Sequence, residues 1–131
     1  TAAAAGVHAV FLAEDTVDPF SPKVLRSAVG AHFRIPIRSL EHHELDKLIG
    51  DFGLRILVAD AKEGLRYTEV NLRRPIALVI GGEAEGAGSK ARMFADEFIR
   101  ILMPGETESL NAAVAAGILM FEAVRQRGRA S

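Results

Sequence analysis

The sequence predicts an α/β domain with a mainly parallel sheet flanked by helices. Short apolar segments rich in β-branched residues alternate with segments whose apolar residues follow helical spacing, and this alternation is typical of α/β proteins. The 131 residues are 49% hydrophobic and 25% charged, which provides enough apolar surface for one independent core. We therefore expect residues 1–131 to form a single domain.

Five short apolar segments are predicted to be strands. Residues 76–80 are apolar at successive positions, and residues 7–13 are apolar apart from His8, as in strands buried on both faces. The segment 33–37 alternates, and Pro36 cannot donate to a ladder, so we expect this strand near a sheet edge. The remaining predicted strands are 54–59 and 98–103.

Helical spacing is found in two longer segments. In the first, Ser39 is a candidate cap, and apolar residues at steps of three and four continue to Phe52. In the second, Ser109 is the candidate cap, and one face carries Leu110, Val114, Ile118, Phe121 and Val124. The other side of this C-terminal helix is also apolar, so we expect the sheet and a second surface, such as a partner subunit, to cover it. Shorter helices are expected at residues 23–28 and 89–95.

Two loops that follow predicted strands form the candidate ligand site. Residues 81–88 are glycine-rich and contain two glutamates, and residues 104–111 contain Ser109 and Asn111. In parallel sheets, ligands bind outside the carboxyl ends of the strands, where both loops lie. The glycine spacing fits neither a P-loop nor a dinucleotide fingerprint, and a plain glycine turn is the alternative to a ligand site.

Charge and residue types argue against several classes of site. The 16 Lys plus Arg balance 17 Asp plus Glu, so no overall basic field indicates a nucleic-acid partner. The absence of cysteine excludes disulfides and thiolate metal sites and slightly favours the cytosol. His42 and His43 are adjacent in a predicted helix and point about 100° apart, so no metal is expected. No apolar run reaches the roughly 20 residues of a membrane span.

Several arginines are candidates for contacts with phosphate. Arg125 and Arg127, near a predicted helix end, most simply complement the helix dipole, and the Arg73–Arg74 pair is most simply solvated. Contacts with RNA phosphates are the alternative for both pairs. Arg26 and Arg34 flank a sharp predicted turn and are the stronger candidates for RNA binding.

The residues alone predict a ligand-binding α/β domain, and a family resemblance adds to this. Two segments strongly resemble the second and third motifs of the SpoU branch of SPOUT methyltransferases: ALVIGGEAEG at residues 77–86 and ILMPGETESLNAAVA at residues 101–115. Residues 18–36 also resemble the block that lies between the family's motifs. The three blocks occur in order and cover nearly the whole chain.

The resemblance implies a cytoplasmic enzyme that transfers a methyl group from S-adenosylmethionine to a ribose 2′-hydroxyl of rRNA or tRNA. It also implies a C-terminal trefoil knot over about residues 76–127, and a homodimer formed through the knot and the C-terminal helix. Neither a membrane nor a metal is expected as a partner. A cofactor- or RNA-binding module of the same fold without activity is the alternative, and a nicotinamide-dependent oxidoreductase is a rival that predicts a response to NADH.

Individual residues match the family's functional positions. The resemblance implies catalytic roles for Glu83, Ser109 and Asn111. The RNA contacts expected from Arg26 and Arg34 rest on their position around the predicted turn. It implies cofactor contacts from Leu57, Val58, Ala59, Gly81, Gly82, Glu83, Gly86, Ile101, Met103 and Leu110. The arginine of the family's first motif would be the residue immediately before Thr1, so we expect an N-terminally truncated domain.

Overall fold

The computed structural model describes residues 1–12, 37–39, 42–81, 93–105 and 109–128. They fall into two compact units, Thr1–Asp51 and Phe52–Ser131. The predicted helix at residues 23–28 and most of the one at 89–95 lie outside the described residues.

The first unit contains two parallel strands and a helix. Strand β1 is Val10–Leu12 and strand β2 is Ile37–Ser39, with Val10 opposite Ile37. Helix α1, His42–Phe52, ends one residue into the second unit. Ser39 lies in β2, three residues before the start of α1, because the strand continues two residues beyond its predicted end.

The second unit is built on a four-stranded parallel sheet, as predicted. Its strands are β3, Arg55–Ala59; β4, Leu65–Arg66; β5, Ile76–Val79; and β6, Glu97–Arg100. The spatial order is β4-β6-β3-β5, and all three pairs are parallel. The last strand in sequence, β6, therefore lies between β3 and β4. The sequence did not predict β4 or the 3₁₀ turn Tyr67–Glu69 that follows it.

Asp96 fixes the start of β6 against β3. Its main-chain N–H donates to the carbonyl of Ile56 at 2.9 Å, and its Oδ2 accepts the N–H of Ile56 at 2.7 Å. Beside it, Arg55 Nη2 lies 3.4 Å from Glu97 Oε2. Because Ile56 is buried, the Asp96 carboxylate satisfies an N–H that water does not readily reach.

The turn between β3 and β4 depends on Asp60 and Gly64. Asp60 Oδ1 accepts the N–H groups of Lys62 and Glu63 at 2.8 and 2.9 Å. Gly64 has a φ of +102°, and a Cβ at this position would overlap the main-chain carbonyl of Phe98 in β6. Glycine is therefore required here for two reasons, the backbone conformation and the close approach of the turn to β6.

Strand β3 is covered on both faces, as expected for a central parallel strand. Leu57 points to one face, while Ile56 and Val58 point to the other, and all three are buried. The core on the Leu57 face consists of Leu57, Val70, Leu72, Ile99 and Leu119. Leu119 comes from the C-terminal helix, so this helix packs directly on the sheet.

The predicted C-terminal helix is confirmed as α2, Ala112–Gly128. Its cap is Asn111, whose Oδ1 accepts the N–H groups of Ala113 at 2.8 Å and Val114 at 3.3 Å. Ser109 was the predicted cap, but the helix begins at Ala112, so Ser109 lies too far back for the usual cap contact with the second and third helical N–H groups.

The two sides of α2 differ in exposure. Leu119 is 1% exposed, whereas Val114, Phe121 and Val124 are 52, 46 and 38% exposed. These three residues belong to the apolar face that the sequence analysis identified. This face is therefore turned away from the core, and Leu119 and Ala123 lie on the core side.

A buried polar network joins the end of α2 to residues 70–74. Gln126 is 7% exposed; its Oε1 accepts the N–H of Leu72 at 2.7 Å, and its Nε2 donates to Val70 O at 2.9 Å and Glu122 Oε1 at 3.1 Å. Arg125 donates to both carboxylate oxygens of Glu122, at 2.7 and 2.8 Å. The network satisfies main-chain groups of the segment that leads into β5, so it fixes that segment on the helix.

Candidate functional site

The predicted cofactor residues from three strands come together at one edge of the second unit's sheet. Strands β6, β3 and β5 are neighbours and parallel, with Val58 opposite Val79 and Ala59 opposite Ile99. Their carboxyl ends therefore lie side by side. Gly81 follows β5 and Ile101 follows β6, so both residues lie at this edge close to Ala59. The register of the sheet therefore brings Ala59, Gly81 and Ile101 of the predicted cofactor set to one edge.

Burial divides these residues into two groups. Leu57 and Val58 are fully buried within β3, which lies between its hydrogen-bonded neighbours β6 and β5. They are therefore inside the sheet, below the edge. The remaining described members of the set are half-buried: Ala59, Gly81, Ile101, Met103 and Leu110. A half-buried, mostly apolar edge of this kind can contact the flat apolar part of a ligand while leaving polar groups in water.

The start of α2 supplies the polar residues of the third motif. Ser109 and Asn111 are both exposed, and Leu110 between them is half-buried. The Oδ1 atom of Asn111 is committed to the helix, because it accepts two helical N–H groups. Asn111 therefore caps the helix, whatever part it takes in catalysis.

Asp60 is a residue at this edge that the sequence analysis did not single out. Its N–H donates to Ile99 O at 2.9 Å, which extends the β3–β6 ladder by one residue. Its carboxylate then closes the turn described above. The sequence signal was present, since Asp60 is the first acidic residue after a buried strand.

Some predicted site residues lie outside the described residues, and their roles remain predictions. These are Gly82, Glu83 and Gly86 of the glycine-rich loop, and Arg26 and Arg34 of the predicted RNA contacts.

A surface cleft of about 290 Å³ lies at the other end of α2. Its polar lining includes Asn71, Arg73, Arg125 and Gln126. The hydrogen bond and charge of Glu122 raise the pKa of Arg125 above its ordinary value, so this guanidinium is charged at any ordinary pH. The cleft is separate from the edge that carries the predicted cofactor residues, because α2 spans 17 residues and about 25 Å.

The described residues contain neither a metal-binding cluster nor a membrane-spanning helix. No group of three or more histidines and carboxylates within them is arranged to hold a metal ion. No helix that the structure describes has the length and hydrophobicity needed to cross a membrane.

Comparison with known proteins gives the family. Residues 1–121 match the model of the SpoU rRNA Methylase family. The chain is 43% identical over 134 residues to the 23S rRNA (guanosine-2′-O-)-methyltransferase RlmB of Xylella fastidiosa, covering 97% of this chain and 51% of that protein. It is 39% identical to the 23S rRNA (guanosine(2553)-2′-O)-methyltransferase RlmP of Bacillus subtilis, covering 92% of this chain and 49% of that protein.

A solved structure of a SpoU methyltransferase has a similar fold. The SpoU methyltransferase AviRb from Streptomyces viridochromogenes, in complex with AdoMet, superposes with a TM-score of 0.88 at 30% identity, covering 96% of this chain and 52% of that one. The fold of this chain is therefore similar to that of an AdoMet-bound SpoU methyltransferase. The chain belongs to the SpoU rRNA methylase family. It spans about half the length of the curated relatives it matches.

Proposed function

We propose that this chain is the cofactor-binding catalytic domain of an RNA methyltransferase that transfers a methyl group from S-adenosylmethionine to a ribose 2′-hydroxyl of rRNA or tRNA. The observation that carries the proposal is the convergence of Ala59, Gly81 and Ile101 at one sheet edge, followed by the exposed Ser109 and Asn111. Family membership supports the reaction, and relatives named as methyltransferases of 23S rRNA support the class of substrate.

The residues at the edge fit the cofactor. Half-buried Ile101, Met103 and Leu110 offer apolar surface to an adenine ring, and Gly81 lets a ligand approach the main chain. The fully buried Leu57 and Val58 would support this edge from below. When bound, S-adenosylmethionine supplies an electrophilic methyl group on its sulfonium.

The chain's own residues would align the ribose and handle its proton. A ribose hydroxyl is a weak nucleophile, so catalysis needs removal of its proton and alignment with the methyl group. We propose that Ser109 and Asn111, at the start of α2, orient the hydroxyl, and that the carboxylate of Glu83 in the glycine-rich loop accepts the proton that the hydroxyl loses. Asn111 is held in place by its own cap bonds, so its orientation is fixed before a substrate binds.

Calorimetry with S-adenosylmethionine tests the cofactor, and NADH is the control ligand. We expect a Kd near the micromolar range, about −8 kcal/mol, and no heat with NADH. Incubation with rRNA or tRNA and mass spectrometry of the nucleosides tests the reaction. Methyl groups on bases instead of ribose would contradict the reaction, and NADH binding without S-adenosylmethionine binding would favour the oxidoreductase rival.

Variants of Asn111 separate its two tasks. Asn111→Ala removes the cap and the amide, so we expect a loss of about 1 kcal/mol of stability together with a loss of methyl transfer. Asn111→Ser keeps a good cap but removes the amide, so stability should stay close to wild type while transfer falls. If Asn111→Ser transfers methyl groups at the wild-type rate, the proposed catalytic role is wrong.

We propose a homodimer in which the exposed face of α2 contacts a second copy of the chain. Val114, Phe121 and Val124 supply large apolar side chains on this face, and a dimer interface would remove them from water. Phe121→Asp should then shift the protein to monomer in sedimentation velocity. Phe52→Asp, an equally apolar exposed site at the end of α1, is the control. A wild-type monomer, or an unchanged dimer in Phe121→Asp, would contradict the interface.

We also propose the trefoil knot over about residues 76–127. The position of β6, inserted last between β3 and β4, supports it, because the chain must return to the middle of the sheet after β5. An experimental structure that traces residues 81–111 without passing them through another loop would contradict the knot.

A further inference from the structure

Four arginines surround the C-terminal end of α2. Arg125 and Arg127 come from the helix, and Arg73 and Arg74 come from the segment before β5. We call these four residues the arginine surface. The chain as a whole has a net charge of −1, so a local concentration of cations is not an effect of composition.

The helix and its neighbouring segment hold these side chains in place. Arg127 Nε donates to Leu72 O and its Nη2 to Arg74 O, both at 2.9 Å. Arg73 Nε donates to Gln126 O at 3.2 Å. A guanidinium carries five N–H donors, so each of these arginines keeps donors that meet no acceptor within the described residues. Side chains that are already ordered lose less entropy when they bind a ligand.

The space beside them is a polar cleft. Arg73 and Arg125 line the cleft of about 290 Å³, together with Thr68, Glu69 and Asn71. Protein interfaces usually have an apolar or aromatic centre, and this lining offers none except the buried Val70. Oriented guanidinium groups in a polar setting suit phosphate, whose oxygens accept their N–H groups in pairs. Glu69 and Glu122 are the nearby carboxylates, and Arg125 engages Glu122.

We propose that the arginine surface binds the phosphodiester backbone of the RNA substrate. The inference rests on the proposed function and adds the place where RNA is held. Since α2 is about 25 Å long, this contact is remote from the start of the helix, where the reacting ribose is expected. The arginine surface would therefore hold the RNA without touching the nucleotide that is methylated.

Arg74→Gln is the cleanest variant, because the Arg74 side chain is exposed and only its main-chain carbonyl takes part in the contacts above. Lys47→Gln makes the same change of charge at an exposed position of α1 and is the matched control. Arg73→Gln is a second variant, which removes one charge and also the hydrogen bond from Arg73 Nε to Gln126 O. The probe is a fluorescein-labelled 20-nucleotide RNA hairpin, and its anisotropy is measured between roughly 50 and 200 mM salt.

We expect Arg74→Gln and Arg73→Gln each to weaken RNA binding about 3- to 10-fold and to lower the salt slope by about 1. Lys47→Gln should change neither, and calorimetry should show wild-type affinity for S-adenosylmethionine in all three variants. One outcome is that the wild type binds the hairpin while Arg74→Gln and Arg73→Gln bind it as tightly as Lys47→Gln does. In that case the RNA-binding role of the arginine surface is wrong and the proposed function stands. If polyglutamate competes as well as unlabelled RNA, the ligand class is wrong. A wild-type protein that binds S-adenosylmethionine but no RNA overturns the RNA part of the proposed function and this inference with it.

Discussion

Replacing Gln126 by leucine tests how much the buried polar network contributes to stability. The substitution keeps a large side chain on the core side of α2, one atom shorter than glutamine, and removes its donor and its acceptor. The N–H of Leu72 and the carbonyl of Val70 then lose their partner, and both residues are buried, so water does not replace it. We expect the variant to fold with a clear loss of stability.

The magnitude follows from these two main-chain groups. Each buried group left without a partner costs about 1–3 kcal/mol, and the extra apolar contact of leucine offsets part of the sum. The expected loss is about 2–4 kcal/mol, out of a total of about 5–15 kcal/mol for a domain of this kind. With a urea m value of roughly 2 kcal/mol/M, the unfolding midpoint should fall by about 1–2 M.

Urea unfolding followed by circular dichroism is the assay, at one protein concentration so that any self-association is held constant. Lys47→Leu, which introduces leucine at an exposed helical position, is the control and should shift stability by less than about 0.5 kcal/mol. A midpoint for Gln126→Leu within about 0.3 M of wild type would refute the reasoning, since it would mean that the two main-chain groups find other partners.

Two further predictions concern the sheet. Gly64→Ala should lower stability by more than about 2 kcal/mol in the same urea assay, because the new Cβ overlaps the carbonyl of Phe98. In the control Gly50→Ala, in α1, the new Cβ meets nothing, so stability should rise by up to about 1 kcal/mol. Equal effects of the two substitutions would contradict the close approach of the turn to β6. Asp96→Ala should cost about 1–3 kcal/mol of stability and speed hydrogen exchange of the Ile56 amide, because this amide loses its acceptor. Asp96→Asn keeps an acceptor and should have a smaller effect. Unchanged exchange in Asp96→Ala would argue against the bond between the Ile56 amide and Asp96.

The sequence predicted the elements that have a clear local pattern of apolar residues. The apolar run at β5 and the helical spacing at α2 are local patterns, so both elements were found, and the order of strands and helices was enough for the parallel sheet. Burial was predicted less well, because β5 is a half-buried edge strand and the predicted apolar face of α2 is turned away from the core. The two residues of β4 were missed, because a strand of that length has no periodicity and exists only through its pairing with β6. The cap was placed at Ser109 for a similar reason, since Ser109 and Asn111 are both good caps and only the start of the helix decides between them.

The polar residues at the end of α2 were beyond local prediction. Arg125 and Arg127 were expected to complement the helix dipole, but Arg125 binds Glu122 and Arg127 binds carbonyls more than 50 residues earlier in the chain. Gln126 gave no signal, since the main-chain groups that it binds are 54 and 56 residues away. The meeting of Ala59, Gly81 and Ile101 at one edge was easier to predict, because these residues end or follow strands whose carboxyl ends a parallel sheet necessarily brings together.

The position of β6 has a consequence for the order of events during synthesis. Strands β3 and β4 leave the ribosome close together, yet they do not pair in the folded sheet. The position between them is occupied by β6, which is synthesised about 40 residues after β3. Contacts between such distant residues slow folding, since a long loop must close before the contact is made. Until β6 arrives, the inner edges of β3 and β4 expose unpaired main-chain groups, which are sites for wrong pairing with other chains. A nascent chain that stops before Glu97 should therefore need a chaperone more than the complete chain does.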